Sequence, residues 1–500
     1  MESNSSLFKK LFGHAALYGI SSVGGRFINY LLVPFHTRIF NPEAYGVITD
    51  FYAQIAVLLI FLTLGLETGF FRFTSKGVSP KEVFNNSFLI LLANGLIFLL
   101  AVFLFLPSIS SALGYSHFPE YVLIFALILF FDTLVAIPFS KLRLEGRALE
   151  FALVKSGSIF VNVGLNWLFL TNTFFINSIH RIPFLENTGL VFLVFLSNFV
   201  ASLLTLGYFY RDFFSIRFKV NLALIKKIVF YSFPLMVGGF AGIVNDMADR
   251  FFIKGLVPAE QNPMYQLGIY GGILKISILL NLFIQVYRFA AEPLFFKNSE
   301  NAGSKKFFAD STKFFFVISL LIFLFISFYL SYFQMILGGD YRVGIGIVPI
   351  LLLSYVFYGF YFNISVWFKL TDKTKYAVVF TLFGLAINAL INYYTVPIYG
   401  FWGSAWARLA SYFLMVVSCY FVGQRFFKVD YDLRNMFLYL TFSLSLYFFD
   451  FFLLAENSIT TFFTKLLLLF LFIALFLWRE KELRYKLNSI IKTYGSKGNK

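Results

Sequence analysis

The stretch VNDMADRFFIKG, residues 244–255, places Asp246, Asp249 and Arg250 within little more than one helical turn, at the end of a long apolar segment. Ionisable groups inside hydrocarbon are costly and face a protein interior or an aqueous path. Asp246 and Arg250 are four apart with the acid first, so one helix face can hold them as a pair. Asp249 turns toward Asn245 and Asp246. Two chemistries suit this pattern. One is an ion pair satisfied at the headgroup boundary. The other is an outer gate, in which the segment ties to the first and second apolar segments when the outside is closed. Asp50, near the outer end of the second apolar segment, joins the gate set.

Three bases are least explained by interfaces: Arg26, Lys275 and Arg408. If they faced one cavity they would suit a diphosphate, since a guanidinium binds phosphate oxygens bidentately. Pairing with a neighbouring acid or helix carbonyl is the alternative for each. Asn388 and Asn392, spaced i, i+4, can offer side-chain oxygens to a coupling cation or hydrogen-bond between helices. No nucleotide loop, metal-ligand cluster or nucleophile triad is present, and His117 and His180 stand apart. The expectation is therefore no catalytic residue, no metal and no enzyme.

The elements that must position these groups follow from composition. The chain has 500 residues, 59% hydrophobic and 13% charged, with mean hydropathy +0.78; soluble domains carry about 25% charged residues. Apolar blocks of the length that crosses ~30 Å of hydrocarbon as helix recur throughout. They lack the alternation of barrel strands. The reading is an all-α polytopic membrane protein with spans at 11–36, 45–71, 83–107, 119–139, 150–174, 184–209, 225–254, 267–288, 311–336, 345–368, 376–396, 401–423, 434–453 and 461–478. The N-terminus is read as a retained first helix, and the lone Cys419 as a packing residue within a span.

Fourteen crossings put both termini on one side. The N-terminus, the loops on that side and the tail hold 31 of the 41 Lys and Arg, against four in the opposite loops: Arg38, Arg181, Lys254 and Arg342. By the positive-inside rule both termini are cytoplasmic. The net charge of +16 then reflects orientation and attraction to anionic headgroups, not nucleic acid. The tail from Trp478 reads as a basic interfacial helix.

The chain also looks duplicated. RIFNPEAYGV (38–47) and KGLVPAEQNPMYQLGIY (254–270) each open with a base and place a proline four residues later, Pro42 and Pro258; Asn29 and Asn245 precede those prolines by thirteen. LRLEGRALEFALVKSGSIFVNVGLN (142–166) and FKLTDKTKYAVVFTLFGLAINALIN (368–392) both end in Asn-x-x-x-Asn, at Asn162/Asn166 and Asn388/Asn392. Six crossings per unit preserve orientation, giving a parallel repeat about an axis along the membrane normal. The expected organisation is an N-lobe (1–220, helices 1–6), a C-lobe (221–430, helices 7–12), and a helix pair with a basic tail (431–500).

HAALYGISSVGGRFINYLLVPFHTRIFNPEAYGVI (14–48) resembles the opening of Wzx-type polysaccharide and O-antigen flippases, of the multidrug/oligosaccharidyl-lipid/polysaccharide (MOP) exporter superfamily. The features are a small-polar first span with Arg26, then Pro34, then Thr37 to Gly46. NDMADRFFIKGLVPAE and YGFWGSAWARLASY (399–412) resemble the seventh and twelfth helices of that family. The resemblance, over residues 10 to 430, implies outward translocation of undecaprenyl-diphosphate-linked oligosaccharide across the bacterial inner membrane, for surface polysaccharides such as that of lipopolysaccharide. It implies a cation-lined cavity at Arg26, with Lys275 and Arg408, and antiport driven by H+ or Na+. The expected partners are a polyprenyl-diphosphate-linked glycan, membrane lipids and a glycan polymerase complex, with no nucleic acid and function as a monomer. Two alternatives share the fold: a cation-coupled drug exporter and a lipid II flippase.

Overall fold

The computed structural model describes residues 24, 28–179, 189–216, 219–298, 304–371, 373–454 and 458–480. Most of the expected first span, including Arg26, lies outside them; its described end is α1, Leu32–Ile39. Thirteen helices long and apolar enough to cross a membrane follow. The first six are α2 (Pro42–Ser75), α3 (Pro80–Leu104), α4 (Pro119–Leu144), α5 (Ala148–Thr171), α6 (Val191–Tyr208) and α7 (Leu222–Leu256). The others are α8 (Pro263–Phe289), α9 (Ser304–Phe328), α10 (Gly339–Leu370), α11 (Lys375–Tyr399), α12 (Phe401–Phe426), α13 (Leu433–Leu453) and α14 (Ile459–Arg479). Each overlaps one of the spans expected from the sequence, and no strand occurs among the described residues. Hydrocarbon explains this uniformity, because a spanning segment must satisfy its own backbone groups, as a helix does.

The chain groups into two compact units, Met1–Gly272 with Ala377–Ser404, and Ile273–Tyr376 with Ala405–Lys500. Within the first unit, α4 packs on α3 and α6, α5 on α6, and α2 on α7. The α2–α7 contact has a local cause. Leu64 and Gly65 adopt left-handed backbone, at φ 51° and 65°, and bend α2 there. A Cβ on Gly65 would lie 3.2 Å from the Ser232 carbonyl oxygen, and one on Gly69 would run into the Ser232 hydroxyl. The small-xxx-small pair Gly65/Gly69 thus lets α2 approach α7 near its internal proline, Pro234.

Within the second unit, α9 is central and packs against α10, α13 and α14. Phe315 of α9 occupies the space a side chain at Gly359 of α10 would need. The last helix pair is tied to α9 at both ends. At one end the Lys313 ammonium lies 3.2 Å from Asp432 and 2.8 Å from Glu480. At the other, Lys465 lies 3.3 Å from Asp450 and donates to the Phe328 carbonyl at 2.8 Å. Buried bases at both ends of an apolar pair require acids beside them, since a lone charge there is far costlier than a pair.

Candidate functional site

Three constellations collect the polar groups singled out in the sequence. The first lies where α2 and α8 begin. Both helices start with Asn-Pro. Asn41 caps α2 by accepting from the Ala44 amide at 2.9 Å, and Asn262 caps α8 by accepting from the Tyr265 amide at 3.1 Å. Proline at the first helical position loses no helical hydrogen bond there. The two helices cross at glycine. A Cβ on Gly268 would sit 1.7 Å from the Pro42 carbonyl oxygen, and one on Gly46 would sit 2.0 Å from that of Met264. Backbone therefore touches backbone, and no other residue fits at either position.

One turn beyond Gly46, Asp50 is fully buried. Its Oδ2 accepts from Lys254 at 2.6 Å, the Tyr115 hydroxyl at 2.7 Å and Gln54 at 2.8 Å. Lys254 also donates to the Leu113 carbonyl at 2.7 Å and lies over the Tyr115 ring. Burial and the neighbouring Asp50 carboxylate both push the Tyr115 hydroxyl up, so it stays protonated and donates. The partner of Asp50 in α7 is thus Lys254, one turn past Arg250. Arg250 donates to the Asp246 backbone carbonyl at 2.8 Å.

The second constellation is a buried relay from α7 to α12. Asp249 accepts from the Tyr270 hydroxyl at 2.6 Å and from the Asn388 amide at 3.2 Å. Asn392 donates to both the backbone and side-chain oxygens of Asn388, and Ser404 donates to Asn392 at 2.5 Å. Asp249, Asn392 and Ser404 are completely buried and Asn388 nearly so. The same device occurs in the sequence-related position. Asn166 donates to the Asn162 backbone oxygen at 2.9 Å and its side-chain oxygen at 3.1 Å, while its own oxygen meets the His36 ring at 2.9 Å. Each Asn-x-x-x-Asn pair bridges its helix to another, α5 to α1 and α11 to α7. Both asparagine pairs thus take part in helix–helix hydrogen bonds.

The third is Arg408 of α12, only 1% exposed. Its guanidinium lies over the rings of Tyr355 and Tyr412, 5.1 and 5.3 Å from their centroids, and donates to the Tyr355 hydroxyl at 3.4 Å. Lys275 is half-buried on α8, in the same unit as Arg408. Arg26 lies outside the described residues.

Lys254, Tyr115, Tyr270, Ser404 and Tyr355 are the participants that sequence reasoning missed. A signal existed for Lys254, one of only four bases in the loops of its face. Tyrosines gave none, being 29 in number.

Residues 13–299 match the family described as polysaccharide biosynthesis protein. Among solved structures, the chain is similar to the lipid II flippase MurJ in an inward closed conformation, at TM-score 0.70 and 15% identity, covering 93% of this chain and 99% of that one. It is also similar to an inward-facing multidrug resistance MATE family transporter of the MOP superfamily, at TM-score 0.58 and 16% identity, covering 83% and 96%. A mutant MATE transporter of Vibrio cholerae aligns at TM-score 0.53 and 14% identity, covering 85% and 98%. No curated protein sequence matches the chain. At these identities the likeness shows a shared fold.

Proposed function

The chain belongs to the polysaccharide biosynthesis protein family, and from that premise we propose that it is a flippase for a polyprenyl-diphosphate-linked oligosaccharide. It carries this lipid from the cytoplasmic to the outer leaflet of a bacterial inner membrane, with its basic face cytoplasmic. The observation that carries the reading is the α2–α8 crossing. Equivalent helices of the two sequence halves meet there by backbone contact at Gly46 and Gly268. A contact made mainly backbone to backbone, with Thr49 against Gly271 beside it, can part and re-form as a unit, as a gate in alternating access does. Asp50 and Lys254 latch the gate from one side.

In this reading Arg408 and Lys275 receive the diphosphate. Arg408 offers a planar fork of donors held flat by two tyrosine rings. Coupling is assigned to Asp249, Asn388, Asn392 and Ser404. Their carboxylate, amide and hydroxyl oxygens form a donor set suited to a hard cation such as Na+, and a proton on Asp249 would satisfy the same relay. Asp246 and Arg250 complete the outer end of α7 as part of the gate.

The test is deletion of the gene followed by assay of lipid-linked glycan in inverted and right-side-out vesicles. The flippase reading expects the glycan to accumulate on the cytoplasmic leaflet. Normal outward delivery of every such lipid, together with lost efflux of organic cations, would transfer the assignment to drug export.

A further inference from the structure

The Asp50 carboxylate carries a second, independent feature. Three donors converge on Oδ2, yet Oδ1 is buried with no hydrogen-bond partner. A buried charged acceptor left without a donor costs more than a neutral one. Lys254 has the complementary surplus. Its ammonium has three N–H groups, and two are used, on Asp50 Oδ2 and the Leu113 carbonyl. An unpartnered carboxylate oxygen thus stands beside an ammonium whose third N–H has only the Tyr115 ring.

Both residues line a cavity of about 770 Å³ formed by α2, α3, α4, α7 and the short Leu106–Ala112 helix. Its other walls are mostly apolar, including Ile55, Val102, Ile109, Phe125 and Leu129, with Gln54 and Ser111 the polar exceptions. Leu58 at its edge is 36% exposed, so the cavity reaches the outer surface of a membrane span. At ~30 Å³ per water-sized group, its volume corresponds to roughly 25 such groups. That is the size of an aliphatic chain, not of one solvent molecule.

The charges select the head group. Asp50 and Lys254 already neutralise one another, so a ligand cation or anion would bring an uncompensated charge into an apolar site. A hydroxyl is neutral, donates once and accepts. We propose that this cavity binds a lipid whose head is a single hydroxyl on an aliphatic body, with the hydroxyl donating to Asp50 Oδ1 and accepting from Lys254. Binding here does not depend on what the protein transports.

The test uses the full-length protein in nanodiscs with a diazirine-bearing long-chain primary alcohol, its methyl ether as control, and mass-spectrometric mapping. The ether can accept from Lys254 but cannot donate to Asp50. The alcohol is expected to label the cavity walls, at Ile55, Val102 or Leu129, about tenfold more than the ether, as loss of a hydrogen bond to a charged group predicts. Excess unlabelled long-chain alcohol or diacylglycerol should compete, and which of the two competes at lower concentration identifies the source of the hydroxyl. Ala126→Phe, which fills the cavity from α4 and leaves the ion pair intact, should remove the labelling while thermal unfolding stays cooperative. Equal labelling by alcohol and ether, or undiminished labelling of a folded A126F protein, overturns the proposal; so does labelling of lipid-facing residues alone.

Discussion

The Lys254 ammonium lies 2.6 Å from the Asp50 carboxylate, joining residues 204 apart in the chain. Lys254 is near the end of α7 and Asp50 a little over two turns into α2, so the bond ties the two halves of the chain on the base-poor face. Asp50 is wholly buried and Lys254 one-fifth exposed, a setting in which removing one partner is worse than removing both.

Lys254→Met should therefore destabilise the protein by about 3–5 kcal/mol, and Asp50→Asn combined with Lys254→Met should recover most of that loss. Thermal unfolding of the two single variants and the double variant, read as a cycle, measures the coupling. Additive losses would mean that the pair does not act as a latch.

Gly268→Ala places a methyl group where the Pro42 carbonyl stands. The crossing of α2 and α8 cannot close around it. Glycan translocation is expected to fall at least tenfold with insertion unchanged. Thr49, which packs against Gly271 in the same crossing, gives the structural readout. Maleimide labelling of a Thr49→Cys probe should rise in the G268A background, and unchanged labelling would show that the crossing tolerates the methyl.

The relay through Asn388 predicts cation dependence. If it holds a coupling cation, Na+ should raise the thermal midpoint relative to choline, by mass action on the folded state. Asn388→Ala and Asp249→Asn should abolish that increment. A Na+ effect that survives both substitutions would move the ion elsewhere, and a midpoint that answers only to pH would assign the relay to a proton.

Acid should loosen the helix pair α13–α14. Burial raises the Asp432 pKa, but hydrogen bonds from Asn435 and Lys313 outweigh it, so the carboxyl sits below its ordinary value. A depressed folded pKa contributes stability that is present above the unfolded value, about 3.9, and is lost as pH falls through the folded value. Lys313 is shared between Asp432 and Glu480. Hydrogen exchange in α13 should therefore accelerate below about pH 4, the ordinary aspartate range. Asp432→Asn should show faster exchange at neutral pH and a smaller acid increment.

The sequence alone determined that the chain spans a membrane as helices and where those helices lie. These properties depend on length and hydrophobicity, which hydrocarbon reads locally and without reference to partners. It also picked out Asp50, Asp249, Asn388, Asn392 and Arg408 as costly residues in need of a reason. The Asn-Pro caps and the Gly65/Gly69 spacing were equally visible as strings, and their meaning needed the neighbouring helix. Partner choice was decided only by tertiary structure. Within α7, Asp249 stands about 60° round the axis from Asp246, about 100° from Arg250 and about 140° from Lys254, and that rotation sends Asp249 and Lys254 to different neighbours. Arg250 bonds within its own helix, Asp249 reaches α8 and α11, and Lys254 takes Asp50. The i, i+4 spacing of Asp246 and Arg250 suggested a local pair, whereas the buried carboxylates drew most of their donors from outside their own helices. Spacing along one helix limits who can meet, and the packing of the others settles who does.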